Sequence, residues 1–471
     1  MAGIGFKLQN LLKDDSFVSR IKAYSYAAVI SSGPWIYSLL SFLAFGFFLT
    51  SETGLDRLFQ VSVIYVFAFS QIISGAFQLG ATRIIADYIY ESKFEMIPGV
   101  YLSVITLLTP LLAVTAAILF AGAKMGFIYS LLSVTLFVLS GLIWIQLIIL
   151  TACRDFKTIT SQFAVGFIIS AVVSIAFGSR FGLLCYLGGF TGGIVYIFFA
   201  MHKQILTEFK SKKNTAEPAV DTAKIKKYLP LIGVGFFFNA GVWVDKIVFW
   251  YIGGNHITGI LYENSVYDRM NLILIAILIP VMAVFTVSVE TNFYVKFRNF
   301  YKSIVEKENL DSINLNLGLM KLSILRGASA ILKTALPLAF VIIVFSRQIL
   351  AALKIPLEYQ LNWCIFALAA LIHAFFMLTL ILLMYFDFSN YTLKAAGLFF
   401  ASNLALNLAS AVFIGPQSMG YGYLIAVITG FSAAVYYLSD ALDNLLYHTF
   451  SRERVPGEII VKYAANRFLK P

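Results

Sequence analysis

The stretch LPLIGVGFFFNAGVWVDKIVFWYI, Leu229 to Ile252, decides how this chain is read. At about 1.5 Å per residue it is long enough to cross a hydrocarbon core of about 30 Å. It is almost wholly apolar, yet Asp245 and Lys246 sit side by side within it. An ionised side chain at the centre of a bilayer costs about 2.5–3.5 kcal/mol on insertion scales. Such a residue usually faces a bundle interior or a wet cavity, so the pair points to a transport pathway. Counted from Leu229, Asp245 lies roughly 24 Å along the span, close to one interface. There Lys246 could simply snorkel to headgroups. Neighbouring residues on a helix point about 100° apart, so the two need not pair.

The rest of the chain has the same character. Of 471 residues, 60% are hydrophobic and only 13% charged, and the mean hydropathy is +0.84. No soluble core of that length could hide so much apolar surface. Long apolar runs punctuated by Gly and Pro, without strict alternation, exclude an outer-membrane barrel. The fold class expected is an all-α polytopic membrane protein. About twelve spans are placed near 25–49, 59–82, 97–121, 127–151, 159–178, 182–201, 229–252, 271–289, 334–352, 361–385, 393–414 and 421–439. Met1 to Lys22 is amphipathic and mixed in charge, with no cleavable apolar region, so no signal peptide is expected.

Net charge is +11, which in a soluble protein would suggest nucleic acid. Here 28 of the 35 Lys and Arg fall in one alternate set of loops and six in the other, with Lys246 inside a span. By the positive-inside rule both termini are expected in the cytoplasm. The loops on the other side are short and leave no room for a catalytic domain. Cys153, Cys185 and Cys364 are scattered and offer neither a disulfide framework nor metal spacing. The four histidines are far apart, and no P-loop or nucleophile elbow is present. No cofactor and no enzymatic activity are expected.

The basic linker at 206–228 divides the chain into an N-terminal half, 1–205, and a C-terminal half, 229–446, followed by a tail at 447–471. Six spans per half give both halves the same orientation, a parallel repeat around a central cleft. Gly33-Pro34-Trp35 in the first span echoes Gly241-Val242-Trp243 at an offset of 208 residues. At that offset Tyr37 and Ser38 match Asp245 and Lys246, so the halves are chemically unequal. Pro34 removes a backbone donor and is expected to kink its helix.

Several segments together carry a family resemblance. They are the opening Met1-Ala-Gly-Ile-Gly-Phe-Lys-Leu8, Tyr26-Ala-Ala-Val-Ile-Ser-Ser-Gly-Pro-Trp35 and Asn239-Ala-Gly-Val-Trp-Val-Asp-Lys246. Val289-Glu-Thr-Asn-Phe-Tyr294, Leu383-Met-Tyr-Phe-Asp387 and Tyr421-Gly-Tyr423 complete the set. The chain resembles the PelG family of Pel exopolysaccharide transporters, within the multidrug/oligosaccharidyl-lipid/polysaccharide (MOP) flippase superfamily. Asn292 departs from the pattern, which implies an acidic residue there, so no carboxylate role is carried over to it. The resemblance implies a conduit in the inner membrane for an amino-sugar-rich polysaccharide made in the cytoplasm. It also implies two kinds of partner, a cytosolic glycosyltransferase using a nucleotide sugar and further inner-membrane subunits.

Candidate pathway residues are Asp245, Lys246 and Asn239 on one helix, with Trp35 and Trp243 as repeat-related rings that could stack on sugars. Most membrane tryptophans, including Trp144, Trp250 and Trp363, are expected as interfacial anchors. Arg83 and Asp87, spaced i,i+4 at the end of the second span, could form an inner gate or an ordinary charged helix end. Glu290 lies near the position equivalent to Arg83 in the repeat and could supply the opposite charge. Phe293, Phe297, Phe300 and Ile304 recur at helical spacing within a cytoplasmic amphipathic segment, 291–333, read either as an interfacial connector or as a dock for the glycosyltransferase.

The leading function is polysaccharide export. A lipid-linked oligosaccharide flippase or an ion-coupled antiporter on the same scaffold is the alternative. A membrane-embedded glycosyltransferase and a pure assembly scaffold are further classes, the first disfavoured by the short outer loops.

Overall fold

The computed structural model describes residues 16, 18–19, 21–28, 55–121, 125–152, 156–209 and 222–451. It is nearly all helix. Among the described residues, the helical stretch at 21–28 is followed by five long helices: α1 Leu55–Tyr90, α2 Ile97–Ala121, α3 Phe127–Ala152, α4 Phe156–Phe181 and α5 Leu183–Glu208. Short α6 Thr222–Lys227 leads into α7 Leu229–Tyr251, and an antiparallel hairpin follows, β1 Asn255–Thr258 with β2 Leu261–Glu263. Then come α8 Ser265–Met270, α9 Leu272–Ser288, a π turn Val289–Phe293, α10 Tyr294–Val305, α11 Leu310–Val344 and α12 Ser346–Ala352. The last four are α13 Gln360–Tyr385, α14 Ser389–Phe413, α15 Tyr421–Asp443 and α16 Leu445–Phe450.

Among the described residues, 11 helices are long and apolar enough to cross a membrane. Most of the first expected span, 25–49, lies outside the described residues. The other eleven expected spans each fall on a helical segment, although one is placed differently from its hydropathy reading. The run at 334–352 is split at Phe345, between α11 and α12. Helix α11 also begins much earlier, at Leu310. Its start is set by Asn309, whose side chain accepts from Ser312 N at 2.8 Å, with Asp311 in the first turn. Lys321, Arg326 and Lys333 interrupt the apolar pattern there without interrupting the helix. The amphipathic segment at 291–333 is thus two pieces, α10 and the first half of α11, separated at Glu306–Asn309.

The helices form two compact units, one spanning Gly33–Ser265 and the other Val266–Pro471 together with the helical residues 21–28. Each unit uses the same pairing scheme. In the first, α1 packs on α2 and α3, α3 on α2, α4 and α5, and α4 on α5. In the second, α9 packs on α11 and α13, α13 on α11, α14 and α15, and α14 on α15. Five helices in chain order thus repeat their neighbours, which is the structural form of the duplication. Helix α7 packs on α1 and so belongs to the first compact unit, although by sequence it opens the second repeat.

Glycine explains the closest crossings. A Cβ on Gly235 of α7 would lie 2.1 Å from the Gly75 carbonyl oxygen of α1. One on Gly193 of α5 would lie 2.3 Å from the Gly166 carbonyl oxygen of α4. Only hydrogen at these positions lets the backbones approach, the small-residue packing expected where lipid supplies no hydrophobic drive between helices.

The amphipathic stripe on α10 is consumed by this packing. Phe293, Phe297, Phe300 and Ile304 are all buried. Phe297 lies 5.9 Å from Tyr385 and 5.6 Å from Phe386, ring centre to ring centre, at the end of α13. These four side chains pack within their own unit.

Candidate functional site

Helix α7 carries the charged pair, and α1 sets its surroundings. Asp245 is 0% exposed and Lys246 6%. The two side chains do meet. Lys246 Nζ lies 3.3 Å from Asp245 Oδ2 and 3.4 Å from Oδ1, and donates to the Val242 carbonyl oxygen at 2.8 Å. The long lysine stem curls back one helical turn, which overcomes the 100° between the two positions. A buried pair persists only when close geometry and further hydrogen bonds offset its desolvation, and the Val242 carbonyl supplies one. The Lys246 ammonium is turned back along its own helix.

Trp243 and Asn239 extend the site along the same helix. Lys246 Nζ sits 5.8 Å from the Trp243 ring centre, within cation–π range. Trp243 Nε1 donates to Gln71 Oε1 of α1 at 3.0 Å. Asn239 is buried and returns a hydrogen bond to the Gly235 carbonyl oxygen at 2.7 Å. Its amide fills the space beside Gly75, where a Cβ would meet Asn239 Nδ2 at 2.2 Å. Positions 239, 243 and 246 follow i, i+4, i+7 spacing and share one face of α7. Gln71 and Gly75, four apart on α1, meet that face.

Gln71 was not singled out from sequence. Its signal was a lone amide within an apolar helix, whose partner is 172 residues away in the chain. A second buried network was equally unannounced. Gln146 Nε2 donates to the Tyr101 hydroxyl at 2.8 Å, and that hydroxyl lies 2.7 Å from His202 Nδ1. In the other unit, the Tyr423 hydroxyl lies 3.1 Å from His373 Nδ1.

The remaining candidates are dispersed. Trp35 lies outside the described residues. Asp87 accepts from the Tyr228 hydroxyl at 2.5 Å and sits 4.0 Å from Lys227 Nζ, so its carboxylate joins the end of α1 to the start of α7. Arg83 is one turn before Asp87 on α1. Glu290 belongs to the π turn Val289–Phe293, in the other compact unit. Trp250 stacks on Tyr65 at 4.8 Å and Trp363 donates to the Ile342 carbonyl oxygen at 3.2 Å; both are buried packing residues. Among the described residues, no group of three His, Cys, Asp or Glu is arranged to hold a metal ion.

The duplicated helical pairing and the long apolar helices define a polytopic membrane protein with a transporter fold. Solved structures share it, among them the following three. MATE in complex with MaD3S superimposes with TM-score 0.60 at 14% identity, over 89% of this chain and 96% of that one. A multidrug resistance MATE family transporter of the MOP superfamily, in its outward-facing conformation, gives 0.60 at 14%, over 89% and 96%. A MOP superfamily transporter from Pyrococcus furiosus gives 0.58 at 14%, over 88% and 96%. The chain belongs to the PelG family of exopolysaccharide exporters (EPS-E), whose model matches residues 1–450. No curated protein matches it. The family segments occupy demanding places in the fold. Val289-Glu-Thr-Asn-Phe293 forms the π turn, a local widening frequent at functional sites, and Asp387 takes a left-handed φ of 62°.

Proposed function

We propose that this chain exports a Pel-type amino-sugar exopolysaccharide from the cytoplasm outward across the inner membrane. In this reading a cytosolic glycosyltransferase supplies the polymer, and further inner-membrane subunits hold the two together. The bilayer and the polysaccharide are the other partners; nucleic acid is not one. The positive-inside bias supports cytoplasmic termini. The repeat supports two six-helix halves, 1–205 and 229–446, joined by the basic linker.

The observation that carries the reading is the buried Asp245–Lys246 pair on a membrane helix. Packing alone does not require it, because an apolar pair of similar volume is often as stable or more so. Charged groups retained inside a membrane protein mark a pathway. Asn239, Trp243, Asp245 and Lys246 are the pathway residues we assign, with Trp35 as the repeat-related ring. Hydroxyl-rich polymer offers donors and acceptors to the amide and the charged pair, and C–H faces to the indole. Arg83, Asp87 and Glu290 are gate candidates. The contact of Asp87 with Tyr228 and Lys227 favours a role at the α1–α7 end.

The test is reconstitution of the chain with its glycosyltransferase in sealed vesicles carrying nucleotide sugar on the synthase side. Export predicts that labelled polymer becomes resistant to an added glycoside hydrolase. Active synthesis with polymer that stays fully digestible would overturn the reading. Protection that needs an added lipid carrier would replace it with a flippase.

A further inference from the structure

The hairpin that follows α7 is a structured element in a place where only a short loop was expected, and it brings exposed His256 and half-buried Tyr262 against exposed Tyr251. Tyr251, His256 and Tyr262 form a compact trio: Tyr251–Tyr262 and His256–Tyr262 ring centres are each 4.9 Å apart. Tyr251 is 45% exposed, and Asn255 and His256 are also exposed. Two of the three rings are held in place by a polar tether. Tyr251 OH donates to the Ile260 carbonyl oxygen at 2.8 Å, and His256 Nε2 lies 2.9 Å from the Gly259 carbonyl oxygen.

The hairpin itself is anchored to α1. The Tyr65 hydroxyl donates to the Tyr262 carbonyl oxygen and accepts from the Tyr262 N–H, both at 3.1 Å. An isolated two-stranded hairpin is marginal in water, so this double tether is what fixes the rings. The trio also continues the pathway side chains. Trp243 lies 6.4 Å from Trp250, Trp250 stacks on Tyr65 at 4.8 Å, and Tyr65 holds Tyr262. This aromatic column runs from the charged pair to the end of α7 remote from the basic α6.

We infer that the Tyr251–His256–Tyr262 cluster is a carbohydrate-binding station, taking a pyranose ring of the polymer where it leaves the protein. The inference rests on the export reading for its ligand and deepens it. Rigid rings with a negative π-face, two of them exposed, suit the polarised C–H face of a pyranose. The neighbouring Asn255 amide and the free edge of the imidazole give hydroxyls a partner. Fixing the rings in advance lowers the ordering cost of binding. An interfacial belt would also use tyrosines, but it needs neither a tethered hairpin nor a histidine ring tilted against one of them at 4.9 Å.

The test uses the full chain in lipid nanodiscs, with chitopentaose and its de-N-acetylated form as probes and saturation-transfer NMR as readout. Binding to wild type is expected. Tyr251→Ala and His256→Ala are each expected to weaken it roughly 3- to 10-fold, the range an aromatic contact supports. Tyr251→Phe, which keeps the ring, is expected to stay within about 2-fold of wild type. Both alanine sites are exposed, and an unchanged melting temperature checks that the fold is intact. No binding of either probe, or equal binding by wild type and both alanine variants, overturns the inference. A drop in melting temperature without loss of probe binding also overturns it, in favour of a lipid anchor. The export assay reads separately: polymer protection that survives Tyr251→Ala, with probe binding also unchanged, leaves export standing while the station falls.

Discussion

At residue scale, Asp245 and Lys246 depend on each other. Removing one member of a buried charged pair costs about 3–5 kcal/mol. Asp245→Asn and Lys246→Met are each expected to lower the melting temperature of the detergent-solubilised protein. Asp245→Asn combined with Lys246→Met is expected to recover most of that loss, because neither charge then remains buried. Additive losses in the double variant would show that the two residues act independently. The Trp243–Gln71 hydrogen bond makes a smaller prediction. Trp243→Phe and Gln71→Leu should each cost about 1 kcal/mol, and their double-mutant cycle should show coupling. A cycle that closes with no coupling term would mean that the 3.0 Å contact is not formed in the membrane.

At the scale of elements, two packing arguments are open to test. The α1–α7 crossing leaves no room for a methyl group on Gly235, so Gly235→Ala should destabilise by about 1–3 kcal/mol through overpacking. Gly192 on α5 has nothing within 4 Å of the added Cβ, so Gly192→Ala should be neutral or slightly stabilising. Thermal unfolding of the two variants, measured side by side, checks the contrast. Equal effects would sink the close-approach account. On α10, Phe297 is buried among Phe293, Tyr301, Tyr385 and Phe386. Phe297→Ala is expected to cost about 3–5 kcal/mol, whereas the exposed Val295 should tolerate alanine. If Phe297→Ala left stability intact while breaking association with a cytosolic partner, the stripe would be a dock after all.

At the scale of the whole molecule, the elements legible in sequence were those governed by solvent. Apolar segments long enough for a bilayer can be read without knowing their neighbours, and eleven such helices are present among the described residues. The charged pair on α7 was legible for the same reason, because hydrocarbon penalises it wherever it sits. What escaped was set by tertiary contacts. Gln71 has meaning only once α1 lies against α7. The hairpin after Trp250 depends on a tether from Tyr65, nearly two hundred residues earlier. The early start of α11 was hidden because its lysines and arginine break a hydropathy window but not a helix. The fate of the α10 stripe was open for a related reason, since helical spacing shows that a face is apolar without showing what covers it.

The most direct measurement of the central claim is export by the Asp245→Asn, Lys246→Met double variant in synthase-containing vesicles. The account predicts a folded protein with near wild-type melting behaviour, in which synthesis continues but hydrolase-protected polymer falls to the level of vesicles lacking the chain. Protection equal to wild type from that uncharged variant would contradict it, because the buried charges would then have no part in the route.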